Sequence, residues 1–254
     1  MVDLSVAVDL VHGGRWTSLR AGAREWLWHR AAGRASVRPG GAFVDAGGLE
    51  ECLPTVRGTP DHGYVWSRPW RAPGLVEGPD FALRRSVEEV DGAVVASYAL
   101  AAAPGFRFVW AAHALLDLSP SARVVAPTGV VARVFPESGP WRAGPWPAPL
   151  GTPLDVCGPV DGTAVGAILT DCPQVTVLDG ESLTLALAAP SGQPVSVALW
   201  RNLGGWPAAE PYRSIGVEPM LGKVFDLAEA GDGDAAVVPA SGVLAWRLTV
   251  TAAG

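Results

Sequence analysis

Apolar and polar residues alternate over many short stretches of this chain, and no long stretch has the three-to-four-residue spacing of an amphipathic helix. Because successive side chains of a β-strand point to opposite faces, this alternation is typical of strands with one buried face. We predict strands over segments rich in β-branched and aromatic residues. In chain order these are 6–10, 24–30, 81–90, 92–100, 106–118, 174–180, 181–189, 195–200 and 243–252.

Gly, Pro, Asp and Ser cluster between the predicted strands, as in RPGG (38–41) and AGDGD (230–234). These residues supply the backbone conformations that tight turns require. Many short strands joined by turns favour an all-β fold, a large antiparallel sandwich or barrel. No internal repeat or linker divides the sequence, so we expect one domain over residues 1–254, with the Pro-, Gly- and Trp-rich segment 137–153 as a long surface loop.

Charge and composition exclude several classes of function. The net charge is −6 with no basic cluster, so nucleic acid is not an expected partner. Lys223 is the sole lysine, and its Gly-Lys pair lacks the upstream glycine of a phosphate-binding P-loop. The most apolar window, 92–106, is too short to span a membrane and contains Pro104, so no membrane partner is expected. The N-terminus lacks signal-peptide features, and we expect a cytoplasmic protein.

The three cysteines, Cys52, Cys157 and Cys172, are odd in number and far apart in sequence. This spacing fits neither a disulfide framework nor a zinc site. We therefore expect reduced, buried cysteines and no bound metal.

One carboxylate lies in an unusual place. In the stretch PYRSIGVEPMLG (211–222), Glu218 follows an apolar run and directly precedes Pro219. A glutamate in apolar surroundings costs several kcal/mol unless it is paired, neutralised or functional. From the residues alone two interpretations stay open, an ion pair with Arg213 or Arg201 and a role in catalysis.

Two of the four histidines are informative. His113 lies in the apolar segment FVWAAHALLDLSP, where an imidazole needs a partner or a function. His62 lies in PDHGYVWSRPW, where Asp61 and Gly63 suggest a turn that exposes the ring. Tryptophan is also abundant, with 11 residues, and indole rings stack on sugars, although most should fill the core.

The order of several short blocks resembles the galactose mutarotase-like proteins, the aldose 1-epimerases and their relatives. The resemblance runs almost the full length, and its most specific parts are the His-Gly, the strand histidine and the Glu-Pro. The blocks are GGRWTSLRAGAREWLW (13–28), GGLEECLPTV (47–56), DHGYVWSRPW (61–70), HALLDLSP (113–120), LWRNLGGWP (199–207) and YRSIGVEPMLG (212–222).

This resemblance implies a large antiparallel β-sandwich with a sugar site in a cleft across one sheet. Glu218 matches the catalytic base of the family, His113 its general acid and His62 a histidine that holds the sugar. Interconverting anomers requires a proton to leave the C1 hydroxyl while another reaches the ring oxygen, so we expect the base and the acid on opposite sides of the ring. Each such proton transfer typically contributes about 10²–10⁴-fold to the rate, and no cofactor is needed.

Further substrate contacts are expected from residues of suitable chemistry in the shared blocks. These are Glu51, Arg68, Trp200 and Asn202.

The sequence also departs from the family pattern. The residues that flank His62 and His113 differ from those usual in the family, and neither Asp155 nor Asp171 matches its mid-chain substrate aspartate. The leading hypothesis is therefore a 1-epimerase of an unidentified aldose. The alternatives are a sugar-phosphate 1-epimerase and a non-catalytic carbohydrate-binding domain, and the joint presence of His113 and Glu218 favours an enzyme.

Overall fold

The computed structural model of the chain describes residues 2–136 and 139–254. Its helical segments in these ranges are short 3₁₀ turns, Arg34–Ser36, Pro149–Gly151 and Leu227–Glu229. No helix in the described ranges is long and apolar enough to cross a membrane. The strands are β1 Leu4–Asp9, β2 Arg15–Ala21, β3 Arg24–Glu25, β4 Leu49–Cys52, β5 Leu75–Glu77, β6 Phe81–Val90, β7 Ala93–Ala102, β8 Arg107–Phe108, β9 Trp110–Leu116, β10 Arg123–Val125, β11 Val131–Phe135, β12 Arg142–Pro145, β13 Ala164–Leu169, β14 Gln174–Asp179, β15 Glu181–Ala188, β16 Val195–Leu203, β17 Arg213–Leu221, β18 Ala236–Val237 and β19 Val243–Ala253.

Two large antiparallel sheets build the fold. The first, with ten strands in the described residues, has the order β1-β2-β4-β9-β17-β16-β13-β11-β12, and β3 pairs with β2. The second, with seven, has the order β10-β14-β15-β19-β7-β6-β5. A short ladder joins β18 to β8. The prediction of an all-β fold with large antiparallel sheets is confirmed.

The inner faces of the two sheets form the main core. Along β7 and β19 buried and more exposed residues alternate, the period of two expected for strands with one face in a core. Burying one such face against another sheet contributes about 25 cal/mol per Å² of apolar surface removed from water. Trp26, Trp110 and Trp246 are among the large side chains packed there, so much of the tryptophan content is structural.

The central strands of the first sheet are covered on both faces. Every residue of β9 is buried, as are eight of the nine residues of β17. In β17, the odd-numbered Ile215 and Val217 face the main core, while the even-numbered residues face the opposite side. A second apolar cluster on that side contains Met220 and Phe225. A polar residue at an even position of β17 therefore points to this outer face, as Glu218 does.

The strand predictions agree with the structure in most places. Segment 81–90 coincides with β6, and segments 174–180, 181–189 and 243–252 match β14, β15 and β19 within about a residue at most ends. Segment 24–30 is an exception, because only Arg24–Glu25 forms a strand and the chain then continues through isolated bridges at Leu27 and His29. Leu27 bridges to Leu116 and His29 to Gly47, so the backbone changes partner along this segment and forms no continuous ladder.

The loop predicted over 137–153 is also partly wrong. Within it, Arg142–Pro145 forms β12 against β11, and the Trp146 side chain is buried. Residues 137 and 138 of that prediction lie outside the described residues. Cys52, Cys157 and Cys172 are buried, as expected.

Candidate active site

A cavity of about 670 Å³ opens on the outer face of the first sheet and brings the three principal predicted residues together. Its charged and titratable lining residues are Asp45, Arg57, Asp61, His62, His113 and Glu218. His113 and Glu218 come from neighbouring strands, β9 and β17, whereas His62 comes from the segment after β4. The fold thus joins side chains that are far apart in sequence.

Glu218 is almost completely buried, with 2% of its surface exposed. Its Oε1 lies 3.8 Å from His113 Nε2. Its Oε2 is buried and has no hydrogen-bond partner among the described residues. Burial raises the pKa of Glu218 above its ordinary value, while the positive charges of His113 and Arg57 act in the opposite direction. The site therefore holds a buried carboxyl group with one oxygen left unbonded by the residues that the structure describes.

The ion pairs considered for Glu218 do not form. Arg201 and Arg213 occupy odd positions of β16 and β17, on the side of the sheet opposite Glu218. Their Nε atoms donate to the backbone carbonyls of Val156 and Gly158, each at 3.0 Å. A structural ion pair therefore does not explain the buried carboxylate.

His113 projects from β9 onto the same outer face. It pairs in register with Glu50 of β4. Its ring meets the His62 ring edge-on, with the centroids 5.2 Å apart. His113 and Glu218 stand side by side on adjacent strands, with their side chains on the same face of the sheet. The placement of the base and the acid on opposite sides of a sugar ring stays a prediction.

His62 is held by a strained turn. It has a φ of 59°, unusual for a residue with a side chain, and the next residue, Gly63, has a φ of 75°. A Cβ on Gly63 would lie 2.0 Å from the carbonyl oxygen of Leu53, so only glycine fits there. The His62 ring stacks on Phe43, with centroids 3.5 Å apart, and its side chain is 15% exposed. The expected exposed imidazole is therefore covered by Phe43.

Electrostatics favour a neutral His62. Burial lowers its pKa, and the neighbouring His113 lowers it further, against the opposing effect of Asp61. His62 Nδ1 lies 3.1 Å from Asp61 Oδ1. A neutral imidazole both donates and accepts a hydrogen bond, which suits it to hold a hydroxyl group.

The predicted sugar contacts in β16 divide into one cavity residue and one supporting residue. Trp200 lines the cavity. Asn202 is buried and does not line it, because its Oδ1 accepts from the backbone nitrogens of residues 204–206 and its Nδ2 donates to the carbonyl of Trp206. Asn202 thus fixes the loop that carries Trp206, which lines the cavity beside Trp200.

The structure does not bring Glu51 to the cavity. It points into the main core, where its carboxylate accepts from Arg85 Nη1 at 2.7 Å, from the Tyr98 hydroxyl at 2.9 Å and from Trp110 Nε1 at 2.7 Å. Because successive strand residues face opposite sides, its neighbour Glu50 is the one on the His113 face. Glu50 is itself paired with Arg34 at 2.9 Å. The expected sugar contact of Glu51 is therefore corrected to a core ion pair.

Arg68 also lies outside the cavity lining. Its guanidinium lies 5.9 Å from the centre of the Tyr64 ring, and its buried Nε has no hydrogen-bond partner among the described residues. The expected sugar or phosphate contact of Arg68 therefore has no support in its position.

Sequence reasoning missed several residues of the cavity. Asp45 and Phe43 lie in an irregular segment without a motif, and Arg57 lies in a turn just after the block that ends at Val56. The Arg57 guanidinium lies 4.9 Å from the centre of the Phe225 ring. Trp206 also lines the cavity, and it lies within the shared block 199–207.

Comparison with known proteins gives the fold. No protein-family model matches the sequence, and no curated protein matches it. A candidate aldose 1-epimerase from Klebsiella pneumoniae has a similar structure, with a TM-score of 0.72 and 13% identity over 99% of this chain and 77% of that chain. A galactose mutarotase related enzyme from Lactobacillus acidophilus gives 0.68 and 12% over 100% and 96%. A galactose mutarotase-like protein from Lactobacillus casei gives 0.63 and 15% over 98% and 97%.

These structures establish that the chain has the galactose mutarotase-like fold, as the sequence resemblance implied. Identities of this size carry the fold alone, and one fold hosts many activities. The activity must therefore be argued from the side chains of the cavity.

Proposed function

We propose that this protein is an aldose 1-epimerase that interconverts the anomers of a sugar at C1 by general acid and base catalysis. The observation that carries the proposal is the pair His113 and Glu218, 3.8 Å apart at the wall of a sugar-sized cavity, with one buried carboxylate oxygen that accepts no hydrogen bond from the described part of the chain. A domain that only binds sugar has no need of such a pair.

The reaction needs two proton transfers around one carbon. Glu218 as carboxylate accepts the proton of the C1 hydroxyl while protonated His113 gives a proton to the ring oxygen, and the bond between C1 and the ring oxygen breaks to leave an open-chain aldehyde. Rotation about the bond between C1 and C2 presents the other face of the carbonyl. The steps then reverse, so both residues return to their starting states and no cofactor is consumed.

The spacing of the pair suits this chemistry. The C1 hydroxyl oxygen and the ring oxygen are both bonded to C1, so the base and the acid must reach two oxygens attached to the same carbon. Two groups on neighbouring strands of one sheet can do so together, and a general acid or base acts through direct hydrogen bonds to the reacting groups. His62 and Trp200 line the same cavity, and we propose that they hold the sugar by hydrogen bonding and stacking.

A phosphorylated sugar is the second candidate substrate, because Arg57 lines the cavity and makes no ion pair among the described residues. A planar guanidinium binds phosphate oxygens in pairs. The same cavity also contains three acidic side chains, those of Asp45, Asp61 and Glu218, which repel a phosphate group. A neutral aldose is therefore the preferred candidate substrate.

The proposal is tested by following anomer interconversion by NMR or polarimetry for a panel of aldoses and their 6-phosphates. Glu218→Gln keeps the shape of the side chain but removes the proton acceptor. We expect sugar binding to survive while the rate falls by about 10²-fold or more, and His113→Asn to behave alike. The double variant should raise the activation free energy by less than the sum of the two single effects, since both groups act in one proton-transfer step. A fully active Glu218→Gln protein would exclude this mechanism.

A further inference from the structure

Asp45 is an acidic residue of the cavity that belongs to none of the blocks shared with the mutarotase-like proteins. It lies in the irregular segment between the 3₁₀ turn Arg34–Ser36 and β4. It lines the same cavity as His62, His113 and Glu218. It reaches the cavity from a part of the chain that precedes all three of these residues.

The Asp45 carboxylate is held in place from two sides. Its Oδ2 accepts a hydrogen bond from the Tyr212 hydroxyl at 2.5 Å, and its Oδ1 accepts one from the backbone nitrogen of Gly47 at 3.0 Å. An ionised carboxylate has about four acceptor positions, so these bonds leave it able to accept from a ligand. A fixed, partly satisfied carboxylate at a cavity wall is suited to recognise hydroxyl groups.

Tyr212 is itself immobilised. Its ring stacks on Trp28, with centroids 5.5 Å apart and planes 14° apart, and the Arg30 guanidinium lies 4.2 Å from its ring centre. Burial and the hydrogen bond to Asp45 raise the pKa of Tyr212, so its hydroxyl remains a donor at neutral pH. The cluster of Trp28, Arg30 and Tyr212 therefore serves to fix the direction of the Asp45 carboxylate.

The charge of Asp45 also acts on Glu218 and on His62. It opposes ionisation of Glu218, whose pKa is raised chiefly by burial, and it favours the charged form of His62. Asp45 lines the same cavity as both of these residues.

We propose that Asp45 is a specificity-determining residue that accepts a hydrogen bond from one ring hydroxyl of a neutral aldose, and that Tyr212 is the positioning residue that aims it. The inference rests on the proposed function and names how the substrate is selected. A carboxylate at this wall attracts a hydroxyl donor and repels a phosphate.

The test pairs Asp45→Asn with a series of aldoses in which one hydroxyl at a time is replaced by hydrogen. In the wild-type protein, loss of the contacted hydroxyl should raise the KM for anomerisation by about 10-fold or more, the scale of a hydrogen bond to a charged group. Asp45→Asn should raise the KM for the parent sugar by a similar factor. It should be less sensitive than the wild type to deletion of that one hydroxyl, because a neutral amide oxygen accepts a weaker hydrogen bond than a carboxylate does.

Tyr212→Phe keeps the ring and its stacking on Trp28 but removes the bond to Asp45. We expect a smaller rise in KM, about threefold to tenfold, with kcat nearly unchanged, and the same hydroxyl-specific pattern. Tyr64→Phe and Asp80→Asn are matched controls, since Tyr64 lies outside the cavity lining and Asp80 is exposed. Both should match the wild type for every sugar.

If Asp45→Asn raised the KM, relative to the wild type, by the same factor for the parent sugar and for every deoxy sugar, the proposal would be overturned. Such a uniform rise would indicate a general change in structure or electrostatics. Wild-type kinetics in Asp45→Asn would overturn it as well and leave the epimerase proposal intact. A wild-type protein that binds no aldose, measured by tryptophan fluorescence, and interconverts none would overturn both.

Discussion

Gly216 and Glu218 lie on the same face of β17, and the space left by the missing side chain of the glycine holds the glutamate carboxylate. A Cβ built on Gly216 would lie 2.5 Å from Glu218 Oε1 and 3.0 Å from the Cβ of Trp200. Residues two apart in a strand point to the same side, so the glycine sets where the carboxylate can lie. This relationship makes Gly216 a positioning residue for the proposed base.

Gly216→Ala should therefore reduce catalysis without unfolding the protein. The methyl group displaces the Glu218 carboxylate from its place beside His113, and small misplacements of a catalytic group cost about 10²-fold in rate. We expect kcat for anomerisation to fall by about 10–10²-fold, with a smaller change in sugar affinity.

Gly166→Ala is the matched comparison, because its Cβ would lie 3.2 Å from the Phe225 ring and 3.4 Å from Arg57 and would not meet the carboxylate. It should lose much less activity than Gly216→Ala at a similar melting temperature. Equal kcat values for the two variants would contradict the positioning role of Gly216.

Arg57 should control the acid limb of the pH profile. Burial raises the pKa of Glu218, and the Arg57 charge is one of the groups that lower it. Because Glu218 must be ionised to act as a base, Arg57→Gln should move the acid limb of kcat to higher pH and reduce the rate most at acidic pH. The exposed Arg84→Gln is the control, and an acid limb at lower pH in Arg57→Gln would contradict the assignment.

The sequence singled out Glu218, His113 and His62, which the structure brings together in one cavity, because each lies in a distinctive local context. Glu218 and His113 are polar side chains inside apolar strand segments, and His62 lies beside a glycine in a turn-forming stretch. An acid or imidazole in such surroundings must have a partner or a function. Their order along the chain then matched a family whose fold could bring them together.

The remaining cavity residues could not be predicted in the same way. Asp45 and Arg57 are polar residues in polar loops, which is what any surface loop contains. Glu51 was misassigned because a shift of one residue exchanges the two faces of a strand, and the β-pattern of the short β4 does not reveal which glutamate faces the core. Register between distant strands is a tertiary property.

The corrected place of Glu51 gives a stability prediction. Arg85 and Glu51 form an ion pair in the core, with side chains 1% and 0% exposed. Removing one partner of a buried pair leaves an unpaired charge and typically costs about 3–5 kcal/mol. Glu51→Leu should lower the free energy of unfolding by that amount in denaturant titrations.

The double variant Glu51→Leu with Arg85→Leu should recover part of this loss, since no buried charge then remains. At a temperature where the single variant is folded, its kcat should stay close to that of the wild type because Glu51 faces away from the cavity. A selective loss of catalysis in folded Glu51→Leu would restore Glu51 as a site residue.

The raised pKa of Glu218 predicts how stability depends on pH. Its folded-state pKa lies above the ordinary value of 4.5 because burial disfavours the charged form. Between these two pKa values the native state holds a proton that the unfolded state has lost, so the free energy of unfolding falls as pH rises through this window. Glu218→Gln has no such proton. Its melting temperature minus that of the wild type should therefore increase as pH rises above the ordinary glutamate pKa of 4.5. The exposed Glu88→Gln is the control. A Glu218→Gln difference in melting temperature that shrinks with rising pH would contradict the prediction, because it would mean that the native site favours the ionised form of Glu218.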